Sequence, residues 1–147
     1  MRRLRENRIL KLCRTEAFNK CIGVFEIPSN ALSINWLHRQ CALKESTLVT
    51  IANIEQNQII AKRSANLKGV VIGLRTIFDE DSSKLEWSDG EESNFRNWEN
   101  PEDEHGQPQI KPITALMTDL EGRWKFGDLK WALEKVGFVC CAADFIE

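Results

Sequence analysis

The chain has 147 residues, 42% hydrophobic and 29% charged, with a formal net charge of −2. That is the profile of one globular domain with enough apolar residues to build a core, and it excludes a disordered chain. No apolar run approaches the ~18 residues of a membrane span, and the start "MRRLRENRILKLC" carries basic residues with no uninterrupted apolar stretch behind them, so no signal peptide is legible there.

Charge is unevenly spread. Residues 1–20 hold seven Arg or Lys against Glu6 and Glu16. A basic head of that kind reads as a solvated tail over residues 1–12, with contact to an anionic surface or nucleic acid as the alternative. Residues 79–104 hold eleven Asp or Glu against Lys84 and Arg96, either a solvated loop or a cation site.

In chain order, "CIGVFEI" (Cys21 to Ile27) is β-branched and aromatic and ends at Pro28, which predicts a strand. Ile34, Leu37 and Cys41 then fall at helical spacing behind Ser33 as N-cap. "STLVTI" (Ser46 to Ile51) is a short strand. Asn53 with Gln56 three residues later forms a capping-box pattern, opening a second helix that carries Ile54, Ile59 and Ile60. "GVVIGL" (Gly69 to Leu74) is an apolar run of strand length, suited to a central position.

From Asp79 to Pro112 the periodicity dissolves into acids, turn signals and the stretch "WSDGEESNFRNW". A loop this long is functional or disordered, and three large aromatics in it argue for packing. Trp87 and Trp98 are expected to pin the loop, and Trp36 to pack beside the first helix. "ITALM", "GRWKF" and "VGFVCC" close the chain as three short strands. The order of elements gives an α+β fold, two early helices against a small antiparallel sheet.

That order, with these residues, resembles the C-type lectin-like domain over nearly the whole chain, from about Cys13 to Cys141, giving one domain at 13–147. "NWLHRQCALKESTLVTIANIEQNQII" is similar to the family's two-helix segment. "VVIGL" is similar to its Trp-Ile-Gly-Leu strand, with Val71 at or beside the tryptophan position. "LEWSDGEESNFRNW" resembles its Trp-Ser-Asp-Gly turn followed by aromatic-x-Asn-Trp, and "GRW" with "GFVC" its last two strands. The resemblance implies that the long loop packs on its own sheet and presents the ligand site.

It also implies disulfides: Cys41 with Cys140, and Cys13 with Cys21. The family's second bridge lacks both partners here. Cys141 is left over; adjacent residues of a strand face opposite ways, so only one of Cys140 and Cys141 can meet Cys41. Cys141 is either buried or links two chains into a homodimer. Such bridges imply an oxidising, extracellular or secreted setting.

Sugar-binding members hold calcium with a Glu-Pro-Asn or Gln-Pro-Asp motif and the Asn-Asp of a Trp-Asn-Asp motif. By position, Gln107 and Gln109 flank the proline here, and Asp128 is what remains of the second motif. One carboxylate and two amides make a poor Ca²⁺ site, since the ion takes six to eight oxygens and affinity falls with charge. A rival register places Glu99, Asn100 and Glu102 around Pro101. Trp124 and Trp131 lie beside this region and would either pack or contact ligand.

Other chemistries fare worse. The acids come in adjacent clusters, as solvated charges do, rather than as separated pairs. There is no Gly-rich phosphate loop, and neither histidine has a nameable catalytic partner. The sequence therefore predicts a non-enzymatic recognition module for a glycan or protein ligand, without nucleic acid. Two readings lead, calcium-independent binding or residual Ca²⁺-dependent sugar binding, and a structural or inhibitory domain with no small ligand is a third.

Overall fold

The computed structural model describes residues 21–28, 34–78, 83–105, 114–118, 121–127 and 135–142. Strand β1 (Cys21–Glu26) is followed by helix α1 (Ile34–Leu43), which turns Leu37 and Cys41 into the core. A two-residue strand β2 (Thr47–Leu48) leads to helix α2 (Ile54–Arg63). Asn53 caps α2 by accepting from the Gln56 N–H at 2.9 Å. The reciprocal bond is displaced by one residue, because the Gln56 side chain accepts from the N–H of Ala52 at 2.7 Å. Strands β3 (Gly69–Phe78), β4 (Ser83–Trp87), β5 (Thr114–Met117), β6 (Trp124–Gly127) and β7 (Val136–Ala142) follow, with a short 3₁₀ turn at Pro101–His105.

The strands order as β1-β7-β3-β5-β6, with β2 added to β7 and β4 to β3. β1 and β7 pair antiparallel, so the two ends of the described chain meet. The expected antiparallel sheet needs one correction: β3 and β7 run parallel. Parallel neighbours need a long crossover, and the excursion through β4, β5 and β6 supplies it.

Two further differences have local causes. The strand expected over Ser46–Ile51 contributes only Thr47 and Leu48 to the ladder. Beyond them the chain climbs over β3, where the Gly73 N–H donates to Val49 O at 2.8 Å. A Cβ on Gly73 would sit 2.6 Å from that oxygen, so only glycine admits the crossing. Strand β4, hidden within the acidic run, alternates exposed Lys84 and Glu86 with half-buried Leu85 and buried Trp87.

The sheet has apolar side chains on both faces. Val70, Ile72 and Leu74 join Ile60 and Ala61 of α2 and Trp87 and Trp124 in one cluster. Val71 joins Leu37 and Cys41 of α1, Leu116 and Phe138 in the other. The Cys41–Cys140 disulfide, 99 residues apart in sequence, ties α1 to β7 as expected. Cys141 is 8% exposed and belongs to the first cluster, so the buried alternative holds and its thiol is not presented to a second chain. Cys13, the expected partner of Cys21, lies outside the described residues, as does the tail over 1–12.

Candidate functional site

The long loop is built inward from its aromatics. Trp124 of β6 is fully buried, and the rings of Trp87, Phe95 and Trp98 surround it edge-on at centroid distances of 5.8, 5.7 and 5.6 Å. Edge-to-face packing of this kind adds to the area each ring buries. The backbone follows the rings. The Trp124 N–H donates to Asn97 O and the Glu99 N–H donates to Trp124 O, so the loop runs beside β6 as one further bridged segment. Trp87 and Trp98 thus pin the loop, as the sequence predicts. Trp124 does not fit the ligand-contact role allowed for it. Its ring lies under the loop, and its indole N–H donates to Asn57 Oδ1 at 2.8 Å.

Asn57 is the buried polar group that organises this joint. Its amide donates to Gly122 O at 3.0 Å while its oxygen serves Trp124. Gly122 has φ +75°, and a Cβ there would lie 2.4 Å from the Asn57 amide nitrogen. Sequence reasoning passed over Asn57, although a signal existed: it falls on the inward stripe of α2 with Ile60 and Ala61.

Several of the loop's charges are engaged within the domain. Glu104 accepts from Arg96 Nε at 2.8 Å and from the Trp98 indole at 2.7 Å. Arg96 also donates to Ser93 O and Phe95 O and lies over the Trp87 ring. Glu99 pairs with Lys125 of β6 at 3.2 Å. Asn100 accepts the Glu102 N–H at 3.1 Å, capping the 3₁₀ turn. Asp89 accepts from Thr50 and from the Glu91 N–H. Arg96 and Lys125 were not singled out from the sequence, because nothing local shows which acid each will meet.

Of the expected site residues, Glu99, Asn100 and Glu102 therefore stand together at the start of the 3₁₀ turn, exposed. As a calcium set they fit badly: a lysine neutralises Glu99, and Asn100 is engaged as a cap. Among the described residues no group of three or more His, Cys, Asp or Glu is placed to hold a metal ion. Gln107, Gln109, Asp128 and Trp131 lie outside the described residues. Nearby, an open cleft of about 490 Å³ is rimmed by Glu86, Glu91, Glu92 and Arg96, a polar surface suited to hydrogen-bonding rather than apolar ligands.

A model of the lectin C-type domain matches residues 30–140. The chain is 28% identical over 120 residues to the secretory phospholipase A2 receptor of Bos taurus; the match takes in 79% of this chain and only 8% of that protein's length. Three solved structures share the fold. The C-type carbohydrate-recognition domain of cow CD23, solved with a GlcNAc2Man3 oligosaccharide, has a TM-score of 0.63 at 23% identity, covering 90% of this chain and 98% of that one. A calcium-independent type II antifreeze protein scores 0.64 at 18% identity, covering 89% and 92%. Human lithostathine scores 0.63 at 18% identity, covering 86% and 94%.

Proposed function

This chain belongs to the lectin C-type domain family, and we propose that it is a non-enzymatic recognition module that binds a protein or glycan ligand without calcium. The supporting observation is the pairing of the loop's acids with the chain's own cations, Glu104 with Arg96 and Glu99 with Lys125. In the register built on Glu99, Asn100 and Glu102, a calcium site would need the Glu99 carboxylate to face the ion, and it faces Lys125. Here the loop is held by four aromatic rings and these pairs instead. One structure of the same fold is described as calcium-independent, so the fold itself stands without the ion.

The contact face in this reading is the outer surface of the long loop at Glu99, Asn100 and Glu102; Gln107, Gln109, Asp128 and Trp131, outside the described residues, are further candidates from the sequence alone. Trp124 is no longer part of it. Domains of this family are typically extracellular, and the Cys41–Cys140 bridge suits an oxidising compartment. Among the described residues no helix is long and apolar enough to cross a membrane.

The test is capture of the oxidised chain on a panel of immobilised glycans and receptor ectodomains, in millimolar calcium and in EDTA. The reading expects binding that is equal in both buffers and lost with Glu102→Lys. Capture that EDTA abolishes and calcium restores would return the calcium-dependent sugar-binding alternative.

A further inference from the structure

Opposite the long loop, the sheet face under α1 carries a cation whose hydrogen bonding is incomplete. On β3, Val70, Ile72 and Leu74 point to the loop side with Trp98 and Phe95, and Val71 points to the α1 side. Leu74 and its cross-strand partner Trp87 both lie on the loop side, so the next residue, Arg75, faces the α1 side. Its Nε is buried and without a hydrogen-bond partner. Glu86 stands directly opposite it in register on β4, yet among the described residues no ion pair joins them. From above, α1 brings His38 on the stripe shared by Ile34, Leu37 and Cys41. His38 is half-buried, and Arg75 lies close enough for its charge to act on the imidazole.

Two basic groups thus converge on one seam, and the carboxylate beside them, Glu86, is exposed and makes no ion pair with Arg75 among the described residues. A buried donor gives up hydration and needs a replacement acceptor. The missing partner is an acceptor, and a guanidinium offers its Nε–H and one Nη–H side by side to two oxygens of one anion. Arg75 remains partly exposed, so such a group can reach it from solvent.

We propose that Arg75 and His38 form an oxyanion-binding site in the seam between α1 and β3, taking the sulfate or carboxylate group of a ligand. Arg75 holds the anion side-on, and His38 adds a second donor when protonated. The site is separate from the long-loop surface and does not rest on how that surface is read. Without an anion, burial and then the Arg75 charge hold the His38 pKa below its ordinary value; a bound anion must raise it, so binding tightens as pH falls. The groups of the described elements facing the seam are His38 from α1, Arg75 from β3 and Glu86 from β4.

The experiment is a titration of the full, oxidised chain with sodium sulfate at constant ionic strength. The arginine Nε–H and histidine ring signals are followed by ¹H–¹⁵N NMR at about pH 6 and about pH 8. The site predicts a saturable shift of the Arg75 Nε–H signal, a rise in the His38 pKa, and binding at least about threefold tighter at the lower pH. Arg75→Gln abolishes the binding; His38→Gln keeps it but removes the pH dependence, which guards against misreading a variant that fails to fold. A linear shift shared with Arg96 and Arg123 would mean that water satisfies Nε, and overturns the proposal. So would unchanged binding in a folded Arg75→Gln chain. A sulfated monosaccharide and a sialic acid glycoside, run beside sulfate, separate a glycan-borne anion, which binds more tightly than sulfate, from a free one, which does not.

Discussion

Replacing Asn57 by Ala removes one side chain and strands one specific donor. Asn57 is fully buried and joins α2 to Gly122 O and to the Trp124 indole. Gly122 O keeps a partner, since the Asn97 amide also donates to it at 2.7 Å. The Trp124 indole N–H does not, and a buried unsatisfied donor costs about 1–3 kcal/mol. The vacated amide volume adds about 1 kcal/mol of lost packing, for a total of about 2–4 kcal/mol. For a domain near 150 residues each kcal/mol moves Tm by about 2–4 °C, so the midpoint should fall by about 4–16 °C. Thermal unfolding of the non-reduced protein, followed by near-UV circular dichroism of the tryptophans, measures it. Gln58→Ala is the control: Gln58 is exposed and donates only a 3.3 Å bond to Glu121 O, so it should change stability by under about 0.5 kcal/mol. A fall below about 2 °C for Asn57→Ala would refute the view that this amide is the joint between helix, strand and loop.

Gly73→Ala should cost at least about 2 kcal/mol by denaturant unfolding, since its Cβ would meet Leu48 O and Val49 O at 2.7 and 2.6 Å; an unchanged midpoint would mean the crossing segment can lift away. Cys41→Ala with Cys140→Ala opens a 99-residue separation and should remove about 2–5 kcal/mol, measured by denaturant unfolding of the oxidised variant beside the oxidised unmodified chain; equal midpoints would show that the bridge adds nothing. His38 has a folded-state pKa below its ordinary value, from burial first and then Arg75. Below about pH 6.5 the unfolded chain therefore binds the proton more readily, so this contribution is present above that pH and is lost as pH falls. In chloride buffer, Tm should drop less between pH 7.5 and 5.5 for His38→Gln than for the unmodified chain; equal drops would show that His38 is not held neutral.

Much of the fold was legible because it rests on local patterns. The apolar stripe of α1, the Asn53 cap of α2 and the apolar run of β3 each identify their element within a few residues. What escaped depends on partners far apart in sequence. β4 is an alternating five-residue strand masked by surrounding acids, and it is recognisable only once β3 lies beside it. The parallel pairing of β3 with β7 follows from where the crossover returns, which no local pattern records. The same holds for the loop. That Trp87 and Trp98 pack was readable from their size in a polar stretch. That Trp124 lies beneath them, and that Lys125 and Arg96 answer Glu99 and Glu104, required the loop to be laid against β6.

The central claim is that the long loop is held by its own rings and ion pairs rather than by calcium. The most direct measurement is the Tm of the purified, oxidised chain in millimolar Ca²⁺ and in EDTA. An ion bound only by the native state at 100 times its Kd adds about 2.7 kcal/mol, a rise of about 5–11 °C at this size. The account predicts midpoints that agree within about 1 °C. A calcium-dependent rise of several degrees would contradict it and show that the loop builds a cation site after all.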